Sequence, residues 1–281
     1  MRQALYMRPT QLSEALGALA DRPWSVLAGG TAFYPTRLSN PFDEDVLDIS
    51  AISDARAVTR EDGHWRIPML ATWTDLIKNH DLPARFDGLK KAARQVGGVQ
   101  IQNVATICGN LCNASPTADG APNLLALDAL VELQSVRAER LLPVADFITG
   151  DRRTARAADE LVTALIIPET GRRSRSTFLK LGARKYLAIS IMTVGAVVEL
   201  DTDQRIAAAR FAIGACGPVA KRLPRLEERV LGQGLRGDLA DLVSDRNLAP
   251  LNPIDDVRGT AAYRRDAALT LLRRTLAELS R

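Results

Sequence analysis

Two histidines, three cysteines and 5% aromatic residues leave several kinds of chemistry without material. His64 and His80 stand in turn-like contexts, "DGHW" and "NHDLP". Nothing beside them supplies the partner a general base needs, so both read as surface residues. Cys108, Cys112 and Cys216 are odd in number and unevenly spaced, which argues against a disulfide framework. Cys108 and Cys112 have no second pair to complete a four-ligand zinc or iron–sulfur site, so no metal site is expected in this chain. The scarcity of aromatics also counts against nucleic acid as a partner. Arg172, Arg173 and Arg175, and the helical set Arg264, Arg265, Arg273 and Arg274, are not interleaved with stacking side chains. With 37 basic against 33 acidic residues and a net charge of +4, these clusters read as a solvated face or a subunit-docking surface. Long apolar runs are missing as well. The longest, around 187–200, is broken by Ser190, Thr193 and Gly195, so no bilayer span is expected. "MRQALYMRP" lacks a signal-type apolar region, which leaves the cytoplasm as the expected location.

What is present suits an ordinary folded core: 46% apolar and 25% charged residues over 281 positions, enough for two or three domains. "TQLSEALGALA" places Leu12, Leu16 and Leu19 at helical spacing after a Thr10 cap. "WSVLA" (24–28) reads as a strand ended by Gly29-Gly30, a helix is expected over 31–39, and "VLDI" (46–49) reads as a second strand. That order implies a small parallel βαβ unit in residues 1–55. Over 56–170 the pattern changes. "WRIPML", "ALVELQS", "RLLPV" and "ELVTALIIP" read as strands of a mixed or antiparallel sheet. "TWTDLIKNH" and "ARFDGLKKAARQV" read as helices. The span 97–122 reads as a glycine-bearing loop, followed by a short helix near 123–127. "TGRRSRS" (170–176) makes a linker. Beyond it, 176–281 reads as a self-contained α+β domain: three strands ("STFLKLGARKY", "AISIMTVGAVVEL", "RIAAARFAIGACG") and helices over 218–232, 236–244 and 259–279. The last carries Leu269, Leu272, Leu276 and Leu279 on one face. The fold class expected is therefore α+β.

Two stretches carry the chemistry. In "LAGGTAFYP" (27–35), two glycines follow a strand. They permit positive φ and close approach to the main chain, and successive N–H groups in such a turn form an anion nest. The pattern is neither a Walker loop nor a Rossmann fingerprint, and a simple tight turn is an alternative reading. In "TICGNLCNASPTADGAP" (106–122), Thr106, Gly109, Asn110, Asn113, Ser115, Thr117 and Asp119 crowd hydrogen-bonding groups into fourteen residues. Such side chains either hold the loop's own backbone or reach a ligand.

Together with "FLKLGARKYLAIS" and "RGTAAYRRDAALTLL", these stretches resemble the FAD-binding (medium) subunit of the molybdenum-containing hydroxylases, the xanthine dehydrogenase and carbon monoxide dehydrogenase family. The resemblance runs over nearly the whole chain in consistent order. Its most specific signature is the second stretch, which the family writes Thr-Ile-Gly-Gly-Asn-x-x-x-Ala-Ser-Pro-x-x-Asp. The resemblance implies two FAD-binding subdomains followed by the C-terminal domain. It implies that Leu27, Ala28, Gly29, Gly30, Thr31, Ala32 and Phe33 wrap the FAD pyrophosphate, with Thr106, Gly109 and Asn110 as the second half of the cradle. Asp119 would hold ribose hydroxyls, Val162 would contribute to the adenine or flavin wall, and Lys180 would reach the flavin edge. From its alternating neighbours alone, Lys180 is equally a solvent-facing strand residue, and Tyr186 lies either near the flavin or in packing.

Two positions depart from the family pattern. Ala32 stands where an acid is usual, and Cys108 stands where the first glycine of Gly-Gly-Asn is usual, which would strain a positive-φ backbone. No cysteine-rich insertion interrupts the middle region, so an additional cluster there is not expected. The implied function is electron transfer without catalytic side chains. The molybdenum cofactor would sit on a large partner and [2Fe–2S] clusters on a small one, within a dimer of heterotrimers, and FAD in this chain would pass electrons to NAD or another acceptor. Two alternatives stand beside it: a stand-alone flavin oxidoreductase acting on a small substrate, and a flavin-free structural subunit.

Overall fold

The computed structural model describes residues 4–37, 43–185, 187–236 and 238–281. Near the N-terminus, β1 (Tyr6–Met7), α1 (Leu12–Asp21), β2 (Ser25–Leu27) and β3 (Val46–Asp48) form a three-stranded sheet in the order β1-β3-β2, with both pairings parallel. α1 carries the chain from β1 to β2 on the far side of β3, turning Ala15, Leu16 and Leu19 inward. Gln11, one residue after the expected Thr10, caps this helix, and the Glu14 carboxylate accepts from the N–H groups of both. β1 is too short to show a period and was not anticipated. The helix expected over 31–39 is instead a turn followed by one 3-10 turn at Pro35–Arg37, and Leu38 and Ser39 lie outside the described residues. Pro35 has no N–H to close a helical bond to residue 31.

The middle of the chain contributes β4 (Thr59–Glu61), β5 (His64–Pro68), α2 (Trp73–Lys78), α3 (Asp87–Ala93), α4 (Val99–Val104), α5 (Ile107–Cys112), α6 (Gly120–Ala126), β6 (Leu130–Gln134), β7 (Glu139–Pro143), α7 (Val144–Phe147), β8 (Ile148–Gly150), β9 (Arg153–Thr154) and β10 (Leu161–Pro168). Five of these strands form an antiparallel sheet in the order β4-β5-β10-β6-β7. β10 sits at its centre and is buried on both faces from Leu161 to Ile167, which explains its unbroken apolar run. The span expected as a loop, 97–122, holds α4, α5 and the start of α6. These helices are too short for a 3.6-residue period to stand out. They persist because each is capped or packed: the Thr106 hydroxyl caps α5, and Ile107, Cys108 and Leu111 face the core.

The C-terminal part comprises β11 (Arg173–Gly182), β12 (Ser190–Leu200), β13 (Ile206–Gly214), β14 (Lys221–Arg222), α8 (Pro224–Val230) and α9 (Ala261–Leu279). The three expected strands pair antiparallel, and the two-residue β14 adds a fourth in the order β11-β12-β13-β14. The run expected as a linker is already strand from Arg173 onward. Of the helix expected over 218–232, only α8 forms, because β14 occupies the start. Over 236–244 the chain makes a 3-10 turn, Leu239–Leu242.

All eleven residues of β12 are buried, and this decides the packing. Met192, Val194, Ala196 and Val198 join the core under α8 and α9, whereas Val197 joins the core of the preceding sheet. A Cβ on Gly195 would lie 2.9 Å from the Pro122 carbonyl, so α6 rests its backbone directly on β12. Likewise, a Cβ on Gly88 of α3 would lie 2.9 Å from the Thr177 carbonyl oxygen of β11. The C-terminal sheet is thus a layer between two sets of helices, α3 and α6 against one face and α8 and α9 against the other. Asp128 pins the same junction through Arg222 (2.8 Å) and Arg210. Arg264 corrects the reading of the basic helical set: it is buried, donates to the carbonyls of Ile191 (2.6 Å) and Ala215 (2.8 Å), and pairs with Asp256 (2.6 Å). Arg273 and Arg274 are exposed. On α9, Leu272, Leu276 and Leu279 are buried and Leu269 lies at the edge of the stripe.

Candidate functional site

The Gly29-Gly30 turn leaves β2 and comes to rest on the chain between α4 and α5. Each glycine has its own reason. A Cβ at Gly29 would lie 1.9 Å from the Val104 carbonyl oxygen and 3.0 Å from Ala105 Cα, so only hydrogen fits there. Gly30 has φ +73, the left-handed region that side chains disfavour. Residues 104–106 are held in turn by α2: Trp73 N–H donates to the Ala105 carbonyl (3.2 Å) and Ile107 N–H to the Ala71 carbonyl (3.0 Å). The two stretches singled out in the sequence therefore meet through main-chain contact.

The N–H groups of Gly29, Gly30, Thr31 and Ala32 make no hydrogen bond among the described residues, and neither does that of Cys108. Unsatisfied amides at this density are what a bound anion would satisfy. Leu27 is buried at the end of β2, Ala28 packs against the core, and Phe33 lies under the Arg37 guanidinium, 3.8 Å from the ring centroid. In α5, Thr106 Oγ1 accepts from Gly109 N–H (3.0 Å), which puts Thr106 in the role of helix cap, and a Cβ at Gly109 would crowd that hydroxyl at 2.6 Å. Asn110 Oδ1 is buried and has no partner, 2.7 Å from where a Gly120 Cβ would stand. Position 108 is helical, with φ on the ordinary side, so the strain expected of Cys108 does not arise. Its thiol points into the core near the carbonyls of Ile67 and Pro68 (both 3.9 Å), and burial pushes its pKa up.

At the far end of the motif, Asp119 is only 6% exposed. One carboxylate oxygen accepts from Lys180 Nζ of β11 (2.6 Å), the other from Ser190 Oγ of β12 (2.6 Å). Burial pushes the Asp119 carboxyl above its ordinary value, with the Lys180 ammonium and both hydrogen bonds pulling the other way. Lys180 is thus no solvent-facing strand residue. Ser190 was missed as a site residue because a lone serine opening a strand carries no pattern. Val162 pairs with Leu133 and is buried in the middle sheet, on the strand against which α5 packs. Tyr186 lies outside the described residues. His80 is exposed, and the His64 ring meets Glu61 (3.1 Å) and the Asp62 carbonyl (3.1 Å). Among the described residues, no cluster of His, Cys, Asp and Glu could hold a metal, and no helix is long and apolar enough to cross a membrane.

A row of unengaged N–H groups fits the diphosphate of a dinucleotide, and the orphaned Asn110 amide oxygen fits a donor such as a sugar hydroxyl. Comparison with known proteins agrees. The family model described as "FAD binding domain in molybdopterin dehydrogenase" matches residues 2–170, and "CO dehydrogenase flavoprotein C-terminal domain" matches 177–279. The chain is 33% identical to the nicotinate dehydrogenase FAD-subunit of Eubacterium barkeri, over 84% of this chain and 82% of that one. It is 29% identical to the putative xanthine dehydrogenase FAD-binding subunit of Escherichia coli K12, over 98% and 95%. Its fold superposes on a chain of the Cu,Mo-CO dehydrogenase structure with a TM-score of 0.88 at 25% identity, covering 99% of this chain and 97% of that one. The chain belongs to the FAD-binding flavoprotein subunits of the molybdenum hydroxylases, the family of the xanthine and carbon monoxide dehydrogenases.

Proposed function

We propose that this chain is the electron-transfer subunit of a cytoplasmic molybdenum hydroxylase complex. It would stand between a small [2Fe–2S] subunit and NAD or another acceptor, and a large molybdenum-binding subunit would complete a dimer of heterotrimers. The observation that carries this reading is the contact of Gly29 with Val104–Ala105, which brings the unengaged amides of the 29–32 turn to the segment that carries the unengaged Cys108 amide. We assign the FAD diphosphate to the main chain of Leu27–Phe33 together with Thr106, Gly109 and Asn110. Residues 1–55 and 56–170 serve as the two FAD-binding subdomains and 176–281 as the domain that brings Lys180. Ala32 removes a carboxylate from this cradle without removing an amide donor. Asp119 is assigned to the ribose hydroxyls. A carboxylate has about four lone-pair sites, so it can accept from a sugar while Lys180 and Ser190 still hold it. Lys180 places a cation beside the flavin edge, and Val162 backs the wall from the sheet core. When bound, FAD supplies the change between two-electron and one-electron transfer; this chain binds, orients and charges its surroundings. Co-expression with the two partner genes tests the reading. The expected product is a three-subunit assembly with one FAD per copy of this chain. A folded chain that assembles with neither partner and stays colourless when saturated with FAD would overturn it.

A further inference from the structure

The FAD residues occupy one end of β11, where Lys180 lies. At the other end, around Arg173, a second concavity opens with a volume of about 410 Å³. Arg173 and Lys180 are seven residues apart on one strand, roughly 23 Å at strand rise, so this cleft is not part of the flavin site. Trp65, Pro83 and Pro168 give it an apolar wall, with Trp65 braced edge-on by Phe86 at 5.9 Å between ring centroids.

Its charge is one-sided. Four arginines line it, against the single carboxylate of Glu169. Arg60 takes that carboxylate in a two-pronged pair (2.7 and 3.1 Å). Arg172 reaches Glu199 at 3.8 Å. Among the described residues, Arg173 has no carboxylate partner and neither does Arg85. Arg85 is the decisive group, because it is just 6% exposed. It donates Nη1–H to the Pro168 carbonyl (2.7 Å) and Nη2–H to the Leu127 carbonyl (3.0 Å), and its Nε–H is buried with no acceptor at all. A buried guanidinium without a carboxylate partner, one of its nitrogens left with no acceptor, is costly unless a ligand compensates its charge. Guanidinium forks suit the paired oxygens of a phosphate, and the volume suits a mononucleotide-sized body against the proline–tryptophan wall.

We infer that this cleft is a binding site for a small phosphate-bearing molecule, held by Arg85, Arg172 and Arg173 and distinct from the FAD site. The inference does not depend on the electron-transfer reading. Calorimetric titration of the FAD-loaded assembly tests it, using inorganic phosphate, AMP and adenosine as probes; with flavin already in place, AMP cannot report on the FAD cradle. AMP is expected to bind at one site per chain, at least tenfold more tightly than phosphate alone, and adenosine not to bind. The R172Q/R173Q pair of substitutions, both on exposed side chains, is expected to weaken AMP at least tenfold with FAD content unchanged. Arg85→Met should abolish binding, and the rim pair keeps the test decisive if that variant does not fold. The inference is overturned if AMP gives no heat, if the rim pair leaves its affinity intact, or if AMP binds the separated chain but not the assembly. That last result would mark the arginines as a seat for an acidic segment of a partner subunit.

Discussion

The two halves of the proposed flavin cradle are built by opposite means. The turn at 29–32 offers main-chain donors, and its precision comes from two missing side chains. One of those glycines has no room for a Cβ, and the other holds positive φ. The segment ending at Asp119 offers a side chain instead, and its precision comes from two extra partners, Lys180 and Ser190, drawn from different strands. The first half is complete within the N-terminal region once the chain before α5 is in place. The second half exists only when β11 and β12 have docked. Backbone recognition is therefore local and rigid, whereas the side-chain half reports on how the C-terminal sheet is seated.

The sharpest way to break this contrast is Lys180→Met. It leaves Asp119 buried and uncompensated and should cost about 3–5 kcal/mol of unfolding free energy. The paired change Asp119→Asn with Lys180→Met should recover much of that loss in denaturant titrations. Gly29→Ala comes next. Its Cβ would overlap the Val104 carbonyl, and parting two backbones should cost about 1–3 kcal/mol and empty the protein of flavin, read as flavin content and Tm.

The third test sets Asp119 against another buried carboxylate. Burial raises Glu132, but Arg66, Thr163 and Gln134 outweigh it and hold that carboxyl below its ordinary value. Its contribution is present above the unfolded pKa of about 4.3 and is lost as pH falls through the lower folded one. Asp119 runs the other way. Its folded pKa is raised, so its favourable contribution lies at low pH and is lost as pH rises through that value. Glu132→Gln should thus flatten the acid limb of the stability profile, and Asp119→Asn should remove the loss of stability that sets in as pH rises above the unfolded aspartate pKa of about 3.9. Gly30→Ala is the mildest change, about 1 kcal/mol from positive φ, because the Tyr34 ring it would meet can swing aside. Its flavin should be retained but bound more weakly, as dialysis would show.

How much of this could be read from the sequence differs by element. β10 and β12 were legible because continuous apolar runs bounded by turns are a strong signal for buried strands. The two glycine-bearing stretches were legible as polar punctuation, and the family signature within the second located Asp119. The short helices α4 and α5 were not, since six residues give less than two turns of periodicity and tertiary contacts hold them. The expected 31–39 helix failed on Pro35. The burial of Arg264 was invisible, because a guanidinium satisfied by the carbonyls of Ile191 and Ala215 needs partners 73 and 49 residues away in the chain. Ser190 failed for the same reason: its role is set by a neighbour 71 residues distant.

The most direct test is a crystal structure of the chain with FAD bound. Diphosphate oxygens should lie within hydrogen-bonding distance of N–H groups from both the 29–32 turn and the 106–110 segment. A diphosphate touching just one of these stretches, or lying away from both, would contradict the account.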